Sequence, residues 1–238
     1  MIGLGTLINV AGIVAGGLLG LLFGHFLHER LQETLMRTLG FCTIFLGVVG
    51  VAEKMLVVDS GQISTRGSMM FVISLALGAL IGEALNIEDM FTRLGEFLKA
   101  KTGNSGDRTF TDGFVLASLT VAIGAMAVIG SINDGLFGDY SVLAIKSVLD
   151  LIIVMIMTSI MGKGCIFAAI PVGILEGGMT LLARFIAPLL TEGAMTNLSM
   201  VGSALICLVG VNLVWPKTIR VSNLLPSIFI AMLLAFIM

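Results

Sequence analysis

The sequence predicts an all-α membrane protein, a polytopic bundle of about eight transmembrane helices, each needing roughly 20 apolar residues to cross the hydrocarbon core. Three observations carry that prediction. Of 238 residues, 57% are hydrophobic and 12% charged, whereas a soluble domain carries about a quarter charged residues. Residues 1–24, 113–133, 193–216 and 221–238 contain no charged residue. Four further apolar stretches hold one or two charges each: 39–58 with Glu53 and Lys54, 67–87 with Glu83, 140–162 with Lys146 and Asp150, and 164–183 with Glu176.

The first run reads as a retained helix, because it lacks the basic n-region of a signal peptide and is too long and glycine-rich for a short h-region. Residues 25–37 place Phe26, Leu27, Leu31, Leu35 and Met36 on one helical face, with charges opposite. Residues 87–100 do the same with Ile87, Met90, Phe91, Leu94 and Leu98. Such faces suit helices lying on the membrane surface, or else each stretch extends the preceding span. The hydrophilic stretch 99–108 contains a flexible connector, Gly103, Asn104, Ser105 and Gly106. The fourth span ends in a polar, glycine-punctuated segment within Gly124 to Asp139, which reads as an electronegative mouth favouring cations or else as an ordinary solvated turn between spans four and five. The sixth span carries Pro171, Gly173, Gly177 and Gly178, which predicts a break in mid-span.

Basic residues fix an expected orientation. Arg30, Arg37, Arg93, Lys99, Lys101, Arg108, Lys163, Lys217 and Arg220 fall in loops on one side, against Lys54, Arg66 and Arg184 on the other. The basic-rich side is expected in the cytoplasm, which puts both termini outside. Trp215 then sits at the cytoplasmic end of the seventh span, as an interfacial belt residue would.

The chain reads as a single membrane domain, 1–238, with repeat-like units 1–87 and 163–238 joined by helices at 110–162. Glu33-Thr-Leu-Met36 compares with Glu192-Gly-Ala-Met195, and Val48-Val49-Gly50-Val51 with Leu208-Val209-Gly210-Val211. On the predicted topology these segments run in opposite senses, an inverted repeat of the kind that places transporter sites near mid-membrane. A second, parallel similarity joins Gly16-Gly17-Leu-Leu-Gly20 to Gly78-Ala79-Leu-Ile-Gly82.

Gly16, Gly20 and Gly24 form a small-residue ridge on the first helix, echoed by Gly78 and Gly82 on the third. Ridges of this spacing let helix backbones approach closely, within the chain or between copies of a homo-oligomer. Lys146 and Asp150, four apart, share a helix face inside the bilayer, where an ionisable group is costly unless paired and is a functional candidate by default. With Glu176, Asn133, Asp134 and Ser147 they form the predicted ion or solute pathway; the plainer alternative is a neutralised pair that fixes packing. Asn9 and Asn212, uncharged and deep, are expected to cross-link helices.

Several function classes are set aside. His25 and His28, with Glu29, have a spacing that suits a metal but no further ligands nearby, and read as surface residues. Cys42, Cys165 and Cys207 share no ligand spacing. Gly162-Lys163-Gly164 lacks the other glycine and the Ser/Thr of a phosphate-binding loop, and neither histidine has a nucleophile arrangement beside it. The basic residues are scattered and not interleaved with aromatics, so nucleic acid is not an expected partner. No enzyme activity, metal or cofactor is expected; the expected partners are the lipid bilayer and a small ion or polar solute.

Gly124-Ala-Met, Gly130-Ser-Ile, Asp134-Gly135-Leu, Gly138-Asp139, Lys146-Ser147-x-x-Asp150, Asn223-Leu-Leu-Pro226 and the opening Gly5-Thr-Leu-Ile-Asn9 together resemble the YqgA/YdfK family of bacterial inner-membrane proteins. The resemblance covers essentially the full chain. It implies a bacterial plasma-membrane location and draws attention to the Lys146/Asp150 region, and it supplies no substrate and no catalytic residues. The expected function is a secondary transporter or channel for a small ion or polar metabolite. The alternative is a non-transporting scaffold or regulator acting through glycine-ridge contacts.

Overall fold

A computed structural model describes residues 2–24, 29–59 and 61–237. The chain is a transmembrane helical bundle. Its helices are α1 (Leu4–Gly24), α2 (Glu29–Met55), α3 (Ser68–Leu85), α4 (Ile87–Lys101), α5 (Phe110–Ala122), α6 (Ala125–Phe137), α7 (Ser141–Met161), α8 (Ala169–Leu181), α9 (Ala183–Ile186), α10 (Glu192–Val214) and α11 (Pro226–Leu234). Short 3-10 turns, Lys163–Ala168 and Val221–Leu224, lead into α8 and α11.

Among the described residues six helical segments are long and apolar enough to cross a bilayer, and a seventh span arises if α5 and α6 count as one. The remaining difference from eight lies at the end of the chain, where Val221–Leu234 is a shorter apolar helix. The predicted fourth span is broken: its two halves meet at 63°, where Gly124 takes φ +153°, a conformation glycine reaches readily.

Three local expectations change. Residues 29–37 do not form a surface helix of their own; α2 runs unbroken from Glu29 to Met55, because no glycine or proline stands before Gly40 to end it. Residues 25–28 lie outside the described part. The end of the predicted second span instead folds back as a hairpin, β1 (Leu56–Asp59) against β2 (Gln62–Thr65), antiparallel with Leu56 opposite Thr65. The β-branched residues Val57, Val58, Ile63 and Thr65 favour strand, and Gly61, at φ +80°, supplies the turn. In the sixth span, Pro171 is the third residue of α8 and breaks nothing: it lies in the first turn, where helical N–H groups have no partner to lose. The irregular stretch is the 3-10 turn before it.

By contrast α4 is a separate helix and does not prolong α3. Asn86, in the left-handed region at φ 50°, ends α3, and its N–H reaches back to the Glu83 carbonyl.

The chain divides into two compact units that interleave along the sequence. The first comprises residues 1–38, 89–122 and 126–187. Its spine is α1 lying parallel to α7, with Gly12, Gly16, Gly20 and Gly24 meeting Ser147, Leu151, Met155 and Ser159 in turn. A Cβ on Gly16 would stand 2.3 Å from the Leu151 carbonyl oxygen, and one on Gly20 2.3 Å from that of Met155. The ridge is thus a helix-packing surface within the chain. α8 runs antiparallel to α1, with Val10 beside Gly173 and Thr6 beside Gly177. Phe110 and Phe114 of α5 are fully buried, and the Phe110 ring packs on Phe167 at 5.3 Å.

The second unit comprises residues 39–88, 123–125 and 188–238. Here α11 and its leading turn run antiparallel to α3: Gly82 meets Asn223 and Gly78 meets Ser227. Met70, Met200, Val201 and Ala231 form the buried core, with Phe71, Leu75 and Ile228 packed on it. Gly40, Gly47 and Gly50 of α2 meet Gly210, Cys207 and Ser203 of α10. Asn212 binds the turn after α10 and not another helix: its Nδ2 donates to the Ile219 carbonyl at 2.7 Å, and its Oδ1 accepts the N–H groups of Thr218 and Ile219.

Candidate functional site

The first unit buries three charged side chains together. Lys146 and Asp150 stand one turn apart on α7 and are 5% and 4% exposed, and Glu176 on α8 is fully buried. The Lys146 ammonium donates to the Asp150 carboxylate. It also donates to the Val121 carbonyl at 2.7 Å and stands 3.5 Å from Glu176 Oε1. Of the three N–H donors an ammonium has, two are therefore taken by Asp150 and Val121.

The Val121 carbonyl is available because of the break. The last carbonyls of a helix lack partners inside it and carry its negative dipole end; in an unbroken span this oxygen would bind an amide one turn on. Ending α5 at Ala122 turns backbone into a cation ligand at the depth of Lys146. A discontinuous helix serving a buried charge in this way is a feature of transporter sites.

Asn9, fully buried on α1, completes the cluster: its Nδ2 donates to Glu176 Oε1 at 2.8 Å. Neither Asn9 Oδ1 nor Glu176 Oε2 has a partner among the described residues. Ser147 donates to the Ile8 carbonyl at 2.9 Å, tying α7 to α1 beside the cluster. One turn beyond Glu176, Thr180 meets Thr6 with hydroxyl oxygens 3.4 Å apart. The result is a polar seam between α1, α7 and α8, closed to solvent and walled by apolar residues.

Asp134 sits elsewhere. It was expected in a solvated mouth, yet it belongs to α6 and is fully buried. Its two carboxylate oxygens accept the N–H groups of Gly3, at 3.2 Å, and Gly5, at 2.9 Å, which lie at the start of α1, where free amides and the helix dipole favour an anion. Asn133 beside it is half-buried. The exposed carboxylate of this stretch is Asp139, which accepts both the hydroxyl and the backbone N–H of Ser141. Those bonds hold its pKa below the ordinary aspartate value.

Of the residues read from sequence as a pathway, the structure brings Lys146, Asp150 and Glu176 into one cluster with Ser147 at its edge; Asp134 binds the start of α1, and the Asn133 carbonyl accepts the N–H of Asp139. Asn9, expected to cross-link helices, does so by joining α1 to Glu176 on α8 and so enters the cluster; the Val121 carbonyl was missed. The signal for Asn9 was available: a lone amide in a charge-free span needs a polar partner, and Glu176 was the buried group in want of a donor. The Val121 carbonyl had no side-chain signal. Gly78 and Gly82 pack inside the second unit, Glu83 pairs with Arg220 at its exposed end at 3.2 Å, and His25 and His28 lie outside the described residues.

Comparison with known proteins can now be set beside this geometry. Residues 4–236 match the family described as "Protein of unknown function (DUF554)". The chain belongs to this family. It is 28% identical to "Uncharacterized membrane protein YdfK" of Bacillus subtilis (strain 168), over 98% of this chain and 96% of that one. It is also 27% identical to "Uncharacterized protein YqgA" of Escherichia coli (strain K12), over 96% of this chain and 94% of that one. No solved structure matches significantly. Family membership and the membrane-protein name of the Bacillus relative agree with the apolar helices described above.

Proposed function

We propose that this protein is a secondary transporter or channel for a small ion or polar metabolite in the bacterial plasma membrane, not an enzyme, with Asn9, Lys146, Asp150 and Glu176 at its binding site. The observation that carries the reading is one ammonium shared between two carboxylates from two helices, at the broken end of a third. A buried ion pair is poor value as mere glue, since apolar side chains of similar volume hold helices together as well or better. A cluster with one more acid than base, and with two buried oxygens unpartnered, is better suited to exchanging partners than to fixing a packing. Ionisable groups inside a membrane mark ion and substrate paths by default.

Both termini face outside in this reading, in line with the excess of Lys and Arg in loops on the opposite side. The scaffold alternative drew on the glycine ridges, and those of α1 and α3 meet α7 and α11 of the same chain. Binding supplies the test. The purified protein in detergent should gain thermal stability with at least one solute from a panel of inorganic ions, amino acids and organic acids, and Asp150→Asn should lose that gain. A panel that leaves the melting temperature unmoved, together with a stable complex with another protein, would replace transport with the scaffold role.

A further inference from the structure

We propose that Glu176 carries a proton in the closed state of the cluster, and that release of this proton frees the negative charge with which the site takes its cationic cargo or coupling ion. This rests on the transport reading and adds to it the identity of the exchanging ion.

Charge is the starting point. Lys146 supplies one positive charge, and Asp150 and Glu176 would supply two negative ones, in a place buried away from bulk solvent. A net charge left in such a place is strongly disfavoured, and the usual escape is for one group to become neutral. The geometry says which group. Asp150 is in direct contact with the ammonium, the arrangement that favours a carboxylate. Glu176 stands further from it, at 3.5 Å, through Oε1 alone.

The two oxygens of Glu176 are unequal in the way a carboxylic acid requires. Oε1 accepts from the Asn9 amide, as the carbonyl oxygen of an acid does, and the fully buried Oε2 has no donor directed at it. An ionised carboxylate would leave half its charge there without a hydrogen bond; the hydroxyl of an acid sits there without that deficit. Asn9 Oδ1 is the second buried oxygen without a partner. Two such oxygens are too few for a Ca²⁺ or Mg²⁺ ion, which take about six or more ligands, and a proton needs one.

Of the elements around α8, α1 has no titratable side chain, α5 carries Asp112 in its first turn, the 3-10 turn before α8 carries Lys163 and Cys165, and α9 carries Arg184. α6, whose Gly135 packs on Thr180, carries the buried Asp134, whose oxygens accept the N–H groups of Gly3 and Gly5. The charged groups that meet beside Glu176 are Lys146, at 3.5 Å, and Asp150, in contact with that same ammonium. The step is a simple ionisation: the O–H bond at Oε2 breaks, its electron pair stays on the carboxylate, and the proton leaves to water when the site opens. Lys146 can then close on Glu176 while keeping Asp150, and the cluster is left with one uncompensated negative charge for a cation. Proton and cation therefore exclude one another.

Infrared difference spectroscopy on the full chain in liposomes tests this without reference to flux. At neutral pH the wild type should show a protonated-carboxyl band that shifts in D₂O, disappears in Glu176→Gln and persists in the double variant Lys146→Met with Asp150→Leu, where the cluster is neutral only if Glu176 keeps its proton. Glu176→Asp, which keeps an acid, should move the band and not abolish it, which separates loss of the group from loss of the fold. Absence of the band in wild type, or its survival in Glu176→Gln, would overturn the proposal. A protonated Glu176 in a protein that moves no solute would overturn the transport reading instead.

Discussion

Lys146 is the residue on which the site depends. It holds together three groups from three helices, and its removal takes the ammonium from Asp150 and from a helix-end carbonyl and leaves Glu176 with the Asn9 amide alone. Breaking a buried ion pair by deleting one member costs about 3–5 kcal/mol, whereas replacing both members by apolar groups is often neutral. Lys146→Met should accordingly lower the thermal unfolding midpoint sharply, and Lys146→Met with Asp150→Leu should recover much of the loss. A double variant no more stable than the single one would show that Asp150 is held by something other than Lys146. Lys146 and Asp150 were legible in the sequence because charges four apart in an apolar run have few innocent readings. Asn9 was read only as a helix cross-link, because an amide alone does not say whether its partner is a backbone or an acid.

At the scale of the helix, packing against backbone decides what can change. A Cβ on Gly82 would fall 1.7 Å from the Asn223 carbonyl oxygen and 2.5 Å from its carbon, atoms of a turn with no freedom to move aside. Overpacking of this kind costs about 1–3 kcal/mol or more. Gly178, on α8 close to the site in sequence, has nothing within 4 Å of its Cβ position, and alanine there should gain up to about 1 kcal/mol of helix propensity. Gly82→Ala should therefore destabilise and Gly178→Ala should not, as read by melting temperature in detergent; equal effects would mean that the close approach of α3 and α11 is not what holds the second unit. The glycine ridges were visible as spacing, but spacing names no partner, and α7 and α11 became the partners only once the helices were placed. Pro171 misled for the same reason: a proline weakens a helix interior and suits its first turn, and the sequence alone does not show where the helix starts.

Over the whole molecule, charge-free length was enough to place the chain in a membrane, and the basic residues gave an orientation. An alkaline phosphatase or fluorescent reporter joined to the C-terminus should report the outside; a cytoplasmic signal would reverse the assignment. The count of spans was less legible. Apolar length does not record a bend such as that between α5 and α6, nor the point at which the β-branched run after α2 leaves the helix for a hairpin. Yet that bend creates the Val121 ligand, so the departure from a plain bundle coincides with the candidate site, where local irregularity is expected to serve function. The central claim is that Lys146, Asp150 and Glu176 stand on a path for solute. Flux in reconstituted vesicles tests it most directly: the wild type should move a solute that stabilises it, and Lys146→Met and Asp150→Asn should each reduce that flux at least tenfold, roughly the effect of 1.4 kcal/mol on the barrier. Undiminished flux in both variants, at equal protein content, would contradict the account.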